Sequence, residues 1–549
     1  MAEATSFREQ FATLNRRFWL SNVIELQERF SYYGLRTVLA VYLLLAVELG
    51  GPQLDNIQKG SLFAIWSLLQ TGVPIFSGGL SDKLGYRASV ALAAVIKAAG
   101  YLVMGLAIPI AHALSGGASE GVPGHPMVYN VLLGGASLIA FGTAVFKPGI
   151  QGLVAVGLDK HNNSLGWGIF YQVVNIGGFL GPILAAWLKV LDWVWVFVAC
   201  AGIALSMIPV LFFIEEPPRR AEVANESLPA VAWRTLSGII EPRLLTFLAV
   251  FSGFWAMFHQ LFDLLPNFIE DWVDTSALFS LLDAALSPLG GAPEGWEGRV
   301  PQEMMLNLNA GMIMLTAFAF GYITGRIRSM TSMLLGIGIS AAAIFLLGQR
   351  DGWLVLGIIA IFSIGEMLAS PTKLRYMTEI APPGRQGAYL GYVNATDAVG
   401  WTIGSVIAGN LYEAHGDKVS LARQHLATLG ESAEAVKAIA KTEVLPALAD
   451  KLGQPVSEVE SLLWESYDPG QVWVRFALIG LISMVGMFAY DRLMRAKLEW
   501  RVETGLVLAL MAVVTGLSYG PKYAAMFAVA GLIGGAVEHA RRRATPPQA

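Results

Sequence analysis

A single cysteine, Cys200, is all that this 549-residue chain contains, so neither an intrachain disulfide nor a thiolate-rich metal site can form. Charge is scarce too: Asp, Glu, Lys and Arg make up 14% of the residues, where soluble proteins carry about a quarter. No sign of charge dominates, since 37 basic against 41 acidic residues leave −4. That excludes a nucleic-acid binder or a protein held to anionic surfaces by its overall charge. Phosphate loops ending in Lys-Ser or Lys-Thr, HExxH metal ligands and GxSxG elbows are all missing, and the seven histidines have no metal-ligand spacing. ATP-driven pumping, metal chemistry and serine hydrolysis therefore have no motif. The chain reads as a non-enzyme with no metal and no cofactor.

What abounds is apolar surface. Hydrophobic residues make up 55% of the chain, gathered into runs of about 20, the length a helix needs to cross hydrocarbon. The expected fold class is an all-α polytopic membrane protein with 14 spans, near 19–46, 57–81, 86–110, 127–157, 164–188, 193–214, 244–268, 304–325, 329–349, 353–378, 386–412, 471–491, 504–519 and 522–538. This divides the chain into an N-terminal segment 1–18, a six-helix bundle 19–214, a linker 215–243, a second six-helix bundle 244–491 and two additional helices within 504–538, before a tail 539–549. Residues 1–18 hold no apolar core of a signal peptide. Basic residues such as Arg16, Arg17, Arg87, Arg219, Arg326 and Arg495 all fall on one side of this alternation, which makes both termini cytoplasmic in a cell (inner) membrane. On the other side lie two outer loops, 271–302 and 415–470, the second patterned as short amphipathic helices. The Gly-rich last two spans suit close helix packing or an oligomer contact.

The halves resemble each other. Gly78 to Arg87 follows span two, and a reduced copy, Gly321 to Arg328, follows span eight. Gly78 and Gly85 would let helix ends approach closely, while Asp82 and Arg87 could tie those ends by charge, forming a cytoplasmic gate. The first copy resembles the loop signature of the major facilitator superfamily. Two similar six-span halves imply a transporter that rocks about a site near the midplane.

Span one is the sharpest feature. Glu25, Glu28, Arg29 and Arg36 lie in it with Tyr32 and Tyr33 between them, and an ionisable group in hydrocarbon costs several kcal/mol unless paired or wetted. Glu25, Arg29, Tyr32 or Tyr33, and Arg36 recur at helical spacing and form one polar stripe about four turns long. Elsewhere Lys147 stands alone in span four, and Glu366 is the corresponding lone acid in span ten. A pair between them would join the halves, and a proton or a substrate carboxylate would break it.

The run Glu25-Leu26-Gln27-Glu28-Arg29-Phe30-Ser31-Tyr32-Tyr33-Gly34 resembles the ExxERFxYYG signature of the proton-dependent oligopeptide transporter family. Phe146-Lys147-Pro148, Phe170 to Gly178, Phe254-Trp255 with Gln260, Asn309, Gly365-Glu366 and Ser370-Pro371 continue the likeness over roughly residues 19–491. The resemblance implies proton coupling through Glu25, Glu28, Arg29 and Glu366. It also implies a substrate pocket lined by Arg29, Tyr32, Tyr33, Arg36, Lys147, Asn175, Trp255, Asn309, Glu366, Ser370 and Tyr392.

Three departures stand out. Phe258-His259-Gln260 lacks the family's acid before the glutamine, so Asp263 is the candidate partner for Arg36 and His259 a candidate proton carrier. Thr71 and Tyr392-Val393 replace expected aromatics, and Lys373, Arg375 and Asp397 add unexplained charge. The reading is a proton-coupled symporter importing di- and tripeptides by alternating access, with the bilayer, protons and peptide as partners. The alternatives are a different small zwitterion or anion on the same fold, a non-transporting membrane receptor and, more distantly, an integral-membrane enzyme.

Overall fold

In this computed structural model the described residues are 7–74, 84–159, 162–216, 241–382 and 386–496, with isolated positions between 505 and 529. The expected spans thirteen and fourteen and their oligomer contact, the linker between 217 and 240, and Gly78 and Asp82 of the loop signature lie outside the described residues. The fold is all-α, and it is an integral membrane protein: nine helices among the described residues are long and apolar enough to cross a bilayer.

In chain order the first half holds α1 (Arg16–Leu44), α2 (Asn56–Ser67), α3 (Tyr86–Gly105), α4 (Pro126–Val156), α5 (Asn163–Leu191) and α6 (Trp193–Leu205). The second holds α7 (Pro242–Phe258), α8 (Gln302–Gly325), α9 (Ser329–Leu346), α10 (Gly352–Ile380), α11 (Asn394–His415) and α12 (Gln471–Ala496). α1, α2 and α11 are not among the nine apolar helices; α1 is interrupted by its own charges. Each half has its own apolar core, one built from residues 14–214 and one from residues 244–490. Trp401 is the exception, a second-half residue packed into the first half's core.

Two helices break where the site needs them to. α2 passes into a π-helical turn, Leu68–Gly72, in which the Thr71 hydroxyl donates to the Ser67 carbonyl at 2.6 Å. Such turns widen a helix locally and recur at functional sites. α7 stops at Phe258 and resumes as Gln260–Asp263 and Leu265–Trp272, with Pro266 in the first turn of the last piece. Proline has no N–H to offer the preceding turn, and the interruption brings His259 and Asp263 to the interface between halves.

The 415–470 loop folds into four short helices, Lys418–Thr428, Ala433–Ala438, Val444–Leu452 and Val456–Tyr467. They bury Leu421, Leu426, Val444, Leu448, Val459 and Leu463 against one another and against the second half, the one-sided burial expected of amphipathic helices. This cap marks one end of the molecule. At that end α2 and α11 cross so closely that a Cβ on Gly60 would stand 2.5 Å from the Ser405 carbonyl oxygen, and one on Gly409 2.5 Å from that of Asn56. Asn56 donates to Glu413 across this crossing at 2.9 Å, and Lys59 of α2 donates to Asn267 in the last piece of the broken α7 at 2.6 Å. Lys189 pairs with Glu303 at 2.8 Å, and Gln302 donates to the Thr37 carbonyl at 2.9 Å.

At the end opposite the cap, Gly85 precedes α3 with φ 91°, a left-handed conformation that favours glycine. The Glu216 carboxylate then accepts from the N–H groups of Tyr86 (2.8 Å) and Arg87 (3.0 Å). A carboxylate on the free N–H groups of a helix start is favourable by charge and by dipole.

Candidate functional site

The stripe on α1 separates into two environments. Toward the end opposite the cap, Arg29 pairs with Glu25 at 3.1 Å and with Glu28, and the other oxygen of Glu28 takes Lys97 of α3. Glu28 and Lys97 have side chains with no exposure at all. Two acids and two bases thus cancel within one half, which is how four charges can be kept in hydrocarbon at modest cost. Close packing by α5 seals the cluster: a Cβ on Gly177 would stand 2.6 Å from the Arg29 Cβ. The Arg29 guanidinium lies 5.4 Å and the Lys97 ammonium 5.6 Å from the centre of the Tyr32 ring, while the Tyr32 hydroxyl accepts from Gln70 at 2.9 Å. Sequence reasoning missed Lys97. Its signal was present, a lone lysine in an otherwise uncharged stretch of span three.

One helical turn and more toward the cap, Arg36 faces the second half. It bonds Asp263 and donates to the Phe262 carbonyl at 3.2 Å. Its guanidinium lies 4.7 Å from the Phe63 ring centre and 5.1 Å from that of Trp401. The second oxygen of Asp263 accepts from the Trp401 indole at 2.9 Å and from the Ser405 hydroxyl at 2.6 Å. The acid that sequence reasoning nominated for Arg36 is therefore the one it touches. Trp401 was not foreseen, because its partners lie far away in sequence.

Between the two environments a cavity of about 130 Å³ sits at the junction of the halves. Of the nominated residues, Tyr32, Tyr33, Arg36, Asn175, His259, Asn309 and Glu366 line it. Glu366 accepts from the Asn309 amide at 2.8 Å, and that amide also donates to Ser363 at 3.0 Å. Asn175 donates to the Tyr171 carbonyl at 2.8 Å. His259 places Nε2 2.7 Å from an Asp397 oxygen and stacks on Trp401 at 4.3 Å, with 10° between the rings.

The remaining nominated residues lie outside the lining. Trp255 stands beside His259, with ring centres 5.7 Å apart, and carries the Lys373 ammonium 3.7 Å from its own ring centre. Tyr392 packs against Tyr389 at 5.8 Å, and Ser370 follows Glu366 by one turn of α10. The expected Lys147–Glu366 pair is not formed. Lys147 has no hydrogen-bond partner among the described residues, and the charges around it are Arg29, Asp397, Glu28 and Glu25. The physical reason is that Glu366 is already held by an amide from α8, while Lys147 stands by the charged cluster of α1. Glu25, Glu28 and Arg29 line no part of the cavity, so Arg29 stands with the ion cluster rather than with the pocket.

These halves, joined about a central cavity, match a known architecture. The profile of the Major Facilitator Superfamily matches residues 29–405. The chain belongs to the Major Facilitator Superfamily. Within it, the chain is 32% identical over 176 residues to dipeptide and tripeptide permease A of Escherichia coli (strain K12), 32% of this chain and 31% of that protein. It is equally similar to the permease A of Klebsiella pneumoniae (strain 342), again over 176 residues. The matched stretch spans about a third of the length of these permeases. Among solved structures, a POT family transporter in complex with 5-aminolevulinic acid shares the fold with TM-score 0.57 and 17% identity, covering 88% of this chain and 98% of that one. A POT family transporter bound to a thioalcohol-conjugated peptide gives TM-score 0.57 and 18% identity, with 80% and 96% covered. The resemblance read from the ExxERFxYYG run thus meets relatives named as peptide permeases and fold neighbours titled as POT family transporters.

Proposed function

We propose that this superfamily member is a proton-coupled symporter that imports di- and tripeptides by alternating access. In this reading it lies in the cell (inner) membrane with both termini cytoplasmic, needs no cofactor, and is driven by the proton gradient. The observation that carries it is the cavity between the halves, with the Arg36 guanidinium on α1 and the Glu366 carboxylate on α10 lining one space. A peptide is a zwitterion, and these groups complement its carboxylate and its ammonium. The names of the permease relatives support the same cargo.

Geometry supports alternating access as well. Hydrogen bonds and close helix crossings join the halves at the cap end, and Arg36–Asp263 is the deepest charged link among them. A substrate carboxylate that takes Arg36 competes with Asp263, so occupancy and closure at the cap end are linked. The Glu25–Glu28–Arg29–Lys97 cluster supplies carboxylates whose protonation unbalances a neutral set, a means of coupling protons to the same motion.

One observation favours a second cargo on the same mechanism. The cavity, about 130 Å³, is below the roughly 300 to 1,000 Å³ usual for ligand pockets, which suits a smaller zwitterion or anion unless the halves part. The deciding experiment is uptake of labelled di-alanine and tri-alanine into liposomes holding the purified full chain, with an inward proton gradient and a Glu28→Gln control. Gradient-dependent uptake by wild type that is lost when the gradient is collapsed, and lost in the control while it remains folded, supports peptide symport. No uptake of either peptide by folded wild type, with uptake of a small amino-acid zwitterion, moves the cargo to the second reading.

A further inference from the structure

Asp397 and Trp401 have no role in the reading above, yet they complete a connected set of contacts through the second half. We propose that His259 and Asp397 form a second proton-binding site in that half, whose loading is passed to the Arg36–Asp263 link through the Trp401 indole. This inference deepens the symport reading and rests on it only for its purpose, not for the chemistry of the site.

The geometry is that of a dyad. Asp397 Oδ1 stands 2.7 Å from His259 Nε2, while Nδ1 of the same ring carries no hydrogen bond among the described residues. His259 lines the cavity, and its side chain keeps 12% exposure, so the ring has a route for proton exchange. With Nε2–H donating to the carboxylate, the dyad carries one negative charge. A hydronium in the cavity gives its proton to Nδ1, the N–H bond forming as the hydronium O–H bond breaks, which leaves water and an imidazolium–carboxylate pair of no net charge. Histidine is the side chain suited to this exchange near neutral pH.

The groups facing the dyad come from every helix around it. Lys373 on α10 and Lys147 on α4 face Asp397. Glu366 on α10, and Arg36 and Tyr33 on α1, share the cavity with His259. Asp263 follows one turn on from His259 along the broken α7.

Trp401 connects this site to the link between halves. One indole stacks on His259, donates its N–H to Asp263 and lies 5.1 Å from the Arg36 guanidinium. A positive charge gained on the imidazole therefore arises beside a cation and near the anion that holds it. It repels Arg36 and attracts Asp263, both of which loosen the pair, and between buried groups such effects are weakly screened. Loss of the proton restores the link. A histidine that merely packs on tryptophan would have no such effect on Arg36.

Two measurements on the purified full chain in detergent test this, and neither needs a transported substrate, so failure of peptide uptake would leave both intact. The first is nitrogen-15 NMR titration of the histidines, with His259 assigned from a His259→Gln variant and His425, in the cap, as the folding control. We expect His259 to titrate, and Asp397→Asn to lower its proton affinity about tenfold or more. Asp397→Glu, which keeps the carboxylate, is expected to retain most of that affinity and serves if Asp397→Asn fails to fold. The second is the distance between spin labels at Leu49 and Leu429, exposed positions at the cap end in the two halves, in a Cys200→Ala background. The distance distribution should respond to pH in wild type, and that response should disappear in Trp401→Phe while His259 still titrates. A His259 titration indifferent to Asp397 overturns the dyad, and a pH response unaltered by Trp401→Phe overturns the connection.

Discussion

The two halves bury charge on opposite plans. In the first, Glu25, Glu28, Arg29 and Lys97 form a closed set: four charges, two of each sign, every one paired within the half and none more than 9% exposed at its side chain. In the second, Glu366, His259, Asp397 and Lys373 are spread over α7, α10 and α11, and their partners are an amide, an imidazole and an aromatic ring. The side chains of His259 and Asp397 keep 12% and 23% of their exposure. A closed set is neutral only as a unit, so removing one member leaves a bare charge in hydrocarbon. An open set has unfilled valences that a ligand or proton can occupy, so removing one member costs binding before it costs folding.

The largest effect should come from breaking the closed set. Glu28→Gln leaves Lys97 without its counterion at a site of no exposure, and removal of one partner of a buried pair costs about 3–5 kcal/mol. The expected outcome is a marked fall in thermal stability in detergent together with loss of proton-driven uptake. Glu28→Gln combined with Lys97→Met, which removes both charges, should recover most of the stability and none of the uptake. A single variant as stable as wild type would break the contrast between the halves.

A smaller effect is expected where the plans meet. Asp263→Asn removes the charge that holds Arg36 and leaves weaker bonds to Trp401, Ser405 and the Phe262 carbonyl. The cap end should then open more often. A Thr37→Cys reporter in a Cys200→Ala background should react about tenfold faster with a membrane-impermeant thiol reagent added on the cap side, equivalent to about 1.4 kcal/mol.

Within the open set, Glu366→Gln keeps an acceptor for the Asn309 amide but loses the charge for a substrate ammonium. A charge-assisted hydrogen bond contributes about 1.5–3 kcal/mol, so KM for a dipeptide should rise about tenfold or more. Thermal stability should stay within about 1 kcal/mol of wild type. Unchanged KM with lost stability would place Glu366 on the closed plan instead.

How much of this was legible from the sequence depends on what kind of signal each element leaves. The spans were readable because hydrocarbon thickness imposes a run length on the chain, and α4, expected at 127–157, runs Pro126–Val156. The stripe on α1 was readable because four charges share one helix. Partners on other helices were not, since a sequence gives neither depth nor facing. Lys97 is one lysine in an apolar span, and nothing near it in the chain names Glu28. Lys147 and Glu366 were matched because each stood alone, but lone charges in opposite halves need not lie at one level, and Glu366 is satisfied by Asn309. The second break in α7, at Leu264, follows from local chemistry at Pro266, whereas the position of His259 against Asp397 depends on how α7 and α11 cross.

Beyond both sets, Asp271 tests whether burial alone gives an acid a role. It lies in the outer segment at the cap end, where its carboxylate accepts from the Tyr412 hydroxyl at 2.6 Å. Burial, and then repulsion by Asp417, push its carboxyl up from 3.8 to about 6. The folded chain therefore holds this proton more tightly than the unfolded chain does, and stability falls as pH rises between those two values. Asp271→Asn keeps an oxygen for Tyr412 and removes the charge. It should raise stability by about 1–3 kcal/mol above pH 6, since each tenfold difference in proton affinity between the folded and unfolded chains is worth about 1.4 kcal/mol, and make no difference below the ordinary carboxylate range. Melting curves of the two proteins from pH 4 to pH 8 give the comparison. Because Asp271 faces neither the cavity nor the ion cluster, the pH dependence of uptake should be the same in both. A changed uptake profile would extend the proton-linked region to the cap and dissolve the distinction between the acids proposed to serve transport and a half-buried acid outside the site.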